Sequence, residues 1–286
     1  MITVESPTRV TLALDIIRLI EEGPTAGYHE LGIVKHMVAL SDTLHVEAAR
    51  GSGPDTVECA DERVPEGEAN ICVQACKLVR ERFGHHGGPL KVTIEKRIPV
   101  MGGMAGGSAN AAAMLRAIDE AWDLGLSLNQ FRELGRTLGM DVPFFFTGGT
   151  AFDSEATKVI SPIDTPTKLH IILAVPGFGV STRKAYATLD YSRVGKNKEM
   201  TQQLMAALRN NDFESIAKYM HNDFELSIFE QYPRLREIRD SLLSAGCAAA
   251  CMSGSGSTVI GIAKDSSSAR KIAAGIDCRT IVTETL

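Results

Sequence analysis

The sequence predicts an α+β protein built as two domains. Three observations point there. Strand-like and helix-like patterns mix along the chain without the regular alternation of a doubly wound sheet. The 286 residues suit one large domain or two ordinary ones of ~150 residues each. The composition shifts at SPIDTPTK (161–168), where two prolines mark a connector before a second apolar unit. The junction is placed near residue 157, giving domains of 1–157 and 158–286.

The elements follow in order. The first fifty or so residues read as strands and turns, closing in the alternating DTLHVEAA (42–49). GSGPDT (51–56) is a turn. From Asn70 to Phe83, Ile71, Ala75, Leu78 and Val79 fall at helical spacing, with Gly84 as a stop. LKVTIEKRI (90–98) alternates, which puts Leu90, Val92, Ile94 and Ile98 on one side of a half-buried strand. A glycine-rich loop then leads into a helix with Met114, Leu115, Ile118 and Trp122 on one face. Ser127 and Gln130 form a capping box, opening a helix that turns Phe131, Leu134 and Leu138 inward. VPFFFTGGTAF (142–152) is a buried segment with a glycine turn. LHIILAV (169–175) starts the second unit, and helices follow near 198–209, 213–220 and 234–245. CAAACMSGSGSTVIGIA (247–263) reads as a strand pair, and a last helix lies near 267–275.

Composition excludes several classes. With 44% apolar and 23% charged residues, the chain can build a core without disulfides or a structural metal. A net charge of −5 argues against disorder and against a dedicated nucleic-acid binder. A small anion can still find a locally positive site. No apolar run reaches the ~18–20 residues of a membrane helix. The N-terminal stretch, broken by Glu5, Arg9, Asp15 and Arg18, is neither signal peptide nor anchor. None of the six cysteines forms a CxxC pair, and Cys72 and Cys76 read as small core residues. Reduced cysteines without an export signal are expected of a cytoplasmic protein.

The chemistry concentrates in KRIPVMGGMAGGSANAAAML (96–115). A strand enters Gly102, Gly103, Gly106 and Gly107, followed by Ser108 and Asn110 at the start of an alanine-rich helix. Glycines permit positive φ and let a ligand approach the backbone. Successive N–H groups and the helix N-terminus then face an anion. Ser108 adds a hydroxyl near a phosphate or its magnesium. No Lys-Ser/Thr follows, so this is not a Walker A loop, and the spacing is not that of the dinucleotide fingerprint. A turn that only caps a helix is the alternative. MSGSGSTV (252–259) is a second such segment, either a tight hairpin or a second nest for the same ligand. Asp141, in LGMDVPFFF, is either a turn aspartate or a general base for phosphoryl transfer.

Together, SPTRVTLALDI (6–16), PVMGGMAGGSANAA (99–112) and MSGSGSTV (252–259) resemble the GHMP kinase superfamily. AGYHEL (26–31), LGMDVPFF (138–145), PGFGVSTRKAY (176–186) and HNDFE (221–225) narrow the resemblance, over nearly the whole chain, to the branch whose acceptor alcohol carries cytidine diphosphate. The resemblance implies a ribosomal-S5-domain-2-like N-terminal domain and a ferredoxin-like C-terminal domain. It implies ATP as phosphoryl donor, with Mg2+ arriving on ATP and no dedicated protein metal site. The implied reaction is phosphorylation of the 2-hydroxyl of a cytidylated methylerythritol on a route to isoprenoids. By resemblance Asp141 is catalytic. Gly102, Gly103, Met104, Ala105, Gly106, Gly107, Ser108 and Asn110 belong to the ATP loop. Tyr28 and His29 recognise cytosine, Tyr186 covers its other face, and Gly254 and Ser255 close the site. The implied partner is a small molecule, not a nucleic acid or a membrane, and the protein is a monomer or homodimer.

Four positions depart from the superfamily pattern. Arg9 and Thr11 stand where lysine and asparagine are usual, and Ala105 and Ala109 where glycine and serine are usual. Arg9 keeps the charge in a larger, planar group, and is expected to pair with Asp141 and the moving phosphoryl group. Thr11 is expected to touch substrate. Ala105, if its φ is positive, costs on the order of 1 kcal/mol. Two alternatives follow: a GHMP kinase for a different hydroxyl, or a degenerate homologue that only binds nucleotide.

Overall fold

The computed structural model describes residues 1–22, 26–49, 53–84, 87–154 and 159–286. The expected junction near 157, and the start of the 51–56 turn, lie outside the described residues. By contacts the chain forms two units, neither continuous in sequence. The first is Met1–Thr8, Leu40–Val100 and Ala105–Thr147; the second is Arg9–Ala39, Met101–Met104 and Gly148–Leu286. Two long strands, β1 (Ile2–Leu19) and β2 (His29–Ala48), contribute to both.

In the first unit, β3 (Thr56–Cys59) is followed by α1 (Ile71–Phe83) and β4 (Leu90–Glu95). β4 pairs antiparallel with β2 (Leu90↔Ala48 to Glu95↔Thr43) and parallel with β3. Asn70 caps α1 through Cys72 N–H, and Gly84 ends it at φ 60°, as the sequence predicts. Three helices follow: α2 (Gly106–Trp122), α3 (Leu128–Leu138) and the short α4 (Phe144–Thr147). The Ser127–Gln130 capping box is formed. Leu90, Val92 and Ile94 are buried, as are Cys72, Cys76, Met114, Leu115, Ile118 and Leu134. Burial pushes the Cys72 thiol up to about 12 and that of Cys76 higher still, so neither supplies a thiolate.

In the second unit, β5 (Thr150–Ser154) pairs with β2 at Ile33–His36 and with β6 (Val159–Ile163). The connector expected over 161–168 is thus partly strand. Pro162 is accommodated because, among the described residues, β6 bonds only to β5, an edge position that needs one side of the ladder. Next come β7 (His170–Val175), α5 (Thr182–Ala187), α6 (Lys198–Arg209), α7 (Phe213–Tyr219), β8 (His221–Asn222), α8 (Glu225–Gln231) and α9 (Pro233–Ser244). β9 (Ala249–Met252), β10 (Val259–Ala263), α10 (Ser266–Ala274) and β11 (Arg279–Glu284) complete the chain. β11-β7-β10-β9 form an antiparallel sheet. Its apolar face packs on Leu235, Ile238, Leu242, Ala269 and Ile272 of α9 and α10. β8 pairs in parallel with β1 at Ala13 and Leu14.

Candidate functional site

The strand, loop and helix expected of 96–115 are present. Asp42 fixes the approach to the loop. Its Oδ1 accepts from the N–H groups of Arg97 (2.8 Å) and Ile98 (2.9 Å), and its Oδ2 from Lys96 Nζ (2.5 Å). Met101, Gly103 and Ala105 take φ of 57°, 72° and 55°. Ala105 stands at the N-cap of α2 and supplies no capping side chain, and no acidic residue follows in the first turn. The N-terminus of α2 therefore keeps its partial positive charge for an anion. Lys96 Nζ, paired with Asp42, lies 3.5 Å from where a Cβ on Gly106 would stand. Gly107 is exposed and Ser108 half-buried at this end.

A cavity of about 810 Å³ adjoins this helix start through Lys96. Glu58, Cys59, Asp61, Arg63 and Glu95 are among the residues that line it. That volume is within the ~300–1,000 Å³ of small-molecule sites. Arg63 is tied to Asp61 (Nη2 to Oδ2 2.6 Å). Among the described residues, no group of three or more His, Cys, Asp or Glu side chains is placed to hold a metal.

In the second unit the front of the glycine loop meets the second glycine segment. Gly103 has no room for a side chain: a Cβ there would lie 2.3 Å from Ser253 O and 2.7 Å from Gly256 O. Thr258 N–H donates to Gly102 O (3.2 Å), and Ser253 Oγ–H to Gly103 O (3.3 Å). Arg9 joins them. Its side chain is buried, and Nη1 donates to Gly103 O (2.8 Å) and Thr11 Oγ1 (3.2 Å). Sequence alone left open whether the two glycine segments meet; here they share backbone contacts. Ser255 Oγ is 2.9 Å from Thr182 Oγ1.

Three expected side chains are placed differently. Thr11 is fully buried and supports Arg9 rather than reaching a solvent-facing substrate. Asn110 is buried with its Oδ1 accepting from Ser6 Oγ–H (2.8 Å), so it ties α2 to β1. Met104 contributes backbone to the loop, while its side chain is in the core. Asp141 is half-buried in the turn before α4, its carbonyl accepting from Phe144 N–H (3.2 Å). Asp141 belongs to the first unit and Arg9 to the second.

The aromatic residues gather, but not as an open sandwich. His29 stacks directly on Tyr186, with centroids 4.2 Å apart at 23°. A third ring does not fit in that gap, because stacked rings need ~3.5–4 Å of carbon separation on each side. Tyr191, absent from the sequence-based set, places its hydroxyl 2.7 Å from His29 Nε2. Tyr186 meets Phe224 edge to face at 5.0 Å. Tyr28 is 60% exposed. Partial burial lowers the pKa of His29 and favours the neutral ring.

HNDFE (221–225) carries the resemblance, but the resemblance implies no role for its residues. Each has one. His221 Nε2 meets Asp15 Oδ1 (3.0 Å). Asn222 Nδ2 donates to Met252 O (2.6 Å) and Gly254 O (2.8 Å). Asp223 accepts from Ile16 N–H, Gly195 N–H and Asn197 Nδ2. Glu225 Oε1 accepts from Met252 N–H (2.6 Å). The usable signal was polar density: four polar or charged residues flank one phenylalanine beside a predicted apolar unit.

This fold and these loops define a small-molecule kinase class. Descriptions of the GHMP kinase N-terminal domain and the GHMP kinase C-terminal domain match residues 70–149 and 204–281, and the chain belongs to the GHMP kinase family. It is 36% identical over 274 residues to the 4-diphosphocytidyl-2-C-methyl-D-erythritol kinase of Shouchella clausii, spanning 96% of this chain and 90% of that one. It is 35% identical to the enzyme of that name from Gloeobacter violaceus, spanning 96% and 89%. A crystal structure of 4-(cytidine 5'-diphospho)-2C-methyl-D-erythritol kinase superposes with a TM-score of 0.83 at 28% identity over 99% of both chains. Homoserine kinase from Cytophaga hutchinsonii, at 17% identity and TM-score 0.77, shares the fold. Among the described residues, no helix is long and apolar enough to cross a membrane.

Proposed function

We propose that this protein transfers the γ-phosphoryl group of ATP to the 2-hydroxyl of 4-diphosphocytidyl-2-C-methyl-D-erythritol, as a cytoplasmic enzyme with domains at 1–157 and 158–286. The observation that carries the reading is the uncapped N-terminus of α2 beside Lys96. Its N–H groups, with Ser108, suit phosphate oxygens, and the neighbouring cavity suits the nucleoside. Mg2+ bound to ATP supplies charge neutralisation. Asp141 holds the acceptor hydroxyl and takes its proton as the oxygen bonds to phosphorus and the β,γ-bridging oxygen leaves with ADP. Arg9, anchored on Gly103 O, stabilises charge on the moving group. Cytosine lies on the His29–Tyr186 platform beside Tyr28 and is read at its edge by neutral His29.

ADP release from MgATP with the cytidylated alcohol as acceptor, with Asp141→Asn as the blank, tests the reading. Turnover that vanishes in a folded Asp141→Asn variant is the expected result. Equal turnover by that variant, or none by the wild type, overturns it.

A further inference from the structure

The second glycine segment is held by one buried and one half-buried side chain, Asn222 and Glu225. Asn222 is buried, and its amide uses both N–H donors on one turn of backbone, Met252 O at 2.6 Å and Gly254 O at 2.8 Å. Its own oxygen accepts from Phe224 N–H (3.0 Å), which fixes the amide's orientation. From the other side Glu225 Oε1 accepts from Met252 N–H at 2.6 Å, and its second oxygen lies 3.5 Å from Arg239 Nη1. The Met252 peptide is therefore gripped at both its N–H and its C=O by neighbours in one motif.

What that grip controls lies two residues on. Gly254, at φ 56°, sits so close to the first loop that a Cβ would be 2.8 Å from Gly103 O and 3.5 Å from Arg9 Nη1. Displacing Gly254 moves the surface on which Gly103 and Arg9 rest. We propose that Asn222 and Glu225 are positioning residues that set the place of Gly254, and through it the phosphate-facing backbone at Gly103. This rests on the kinase reading for its consequence in turnover, but not for its consequence in loop order.

Two measurements separate those levels. Hydrogen exchange of the free protein reads the loop directly. Asn222→Ala and Glu225→Ala are expected to speed exchange in the 252–258 segment at least tenfold, with β7 and β11 unchanged. Glu225→Gln keeps an acceptor oxygen for Met252 N–H and is expected to restore most of the protection. ADP release reads the consequence: the alanine variants are expected to raise KM for ATP and lower kcat, about tenfold each, while Glu225→Gln recovers at least a third of the turnover. A residue that only stabilised the fold would lower the melting temperature and the active fraction but leave KM for ATP unchanged. Native exchange in 252–258 for both alanine variants overturns the proposal. So does an unchanged KM for ATP in an active enzyme. Failure of the wild type to release ADP, with the exchange result as expected, counts against the kinase reading and upholds the positioning role.

Discussion

Gly254 packs against the backbone of Gly103, whose carbonyl leaves it no space for a side chain. A Cβ on Gly254 would lie 2.8 Å from Gly103 O, and φ there is 56°. The obstacle is a carbonyl oxygen held by Arg9 and Ser253, so it cannot swing aside as a flexible side chain would. Gly254→Ala therefore pays left-handed strain of ~1–2 kcal/mol and shifts the loop. A shift of ~1 Å in a catalytic frame costs ~100-fold. Melting temperature and kcat/KM for ADP release check this; a variant unchanged in both shows that the loops do not constrain each other.

Ala105 carries the opposite expectation. It sits at φ 55° in the N-cap of α2, a conformation costing an L-residue ~1–2 kcal/mol. Glycine relieves that, less ~0.5–1 kcal/mol of extra chain entropy. Ala105→Gly should stabilise the protein by up to ~1 kcal/mol, read by urea unfolding. A loss of stability would mean that the methyl group contributes packing that outweighs the strain.

Local patterns carried most of this fold. Asn70 and Gly84 bound α1, Ser127 and Gln130 open α3, and the alternation of Leu90, Val92 and Ile94 marks β4 because each signal acts over a few residues. β11 was missed: RTIVTE is short, and its strand identity comes from pairing with β7, a hundred residues earlier. Interleaving of the two units was equally hidden, since only the paired backbone shows that β1 and β2 serve both. In the site, the glycine segments were legible as chemistry, but their meeting was not. Residue type makes Thr11 and Asn110 expected ligands, but it does not show what already engages the side chain, here Arg9 and Ser6.

The stability of the protein should fall as pH rises from weakly acidic to neutral. Burial pushes Glu225 up to about 7 despite Arg239 nearby. Around it stand Arg239, His221 and Cys251. Burial lowers the pKa of His221, but its hydrogen bonds with Asp15 and the Tyr219 carbonyl, with the charges of Asp15 and Asp223, outweigh that and raise it. In both groups the folded state holds its proton more tightly than the unfolded chain does. Stability is therefore full below the unfolded values and lost as pH climbs through the folded ones. Glu225→Gln removes one of these protons from the balance. Its unfolding free energy, read by urea unfolding, should gain on the wild type between pH ~4.5 and ~7, by up to ~3 kcal/mol, and hold a constant lead above. Parallel curves would show that Glu225 does not titrate in this window.

Lys35 and Asp153 make a different kind of buried contact. Nζ and Oδ2 are 2.5 Å apart, and the side chains are 0% and 3% exposed. β2 and β5 pair here in antiparallel register, Lys35 opposite Ala151 and Ile33 opposite Asp153, so the two side chains reach diagonally across one ladder. Removing one partner leaves a charge in a site without water, a cost of ~3–5 kcal/mol. Replacing both with apolar groups of similar size removes the attraction and the desolvation together. Lys35→Met alone should therefore lower urea stability by several kcal/mol, while Lys35→Met with Asp153→Leu should recover at least half of the loss. An additive double variant would mean that each charge is compensated by other neighbours and that the pair contributes no coupling.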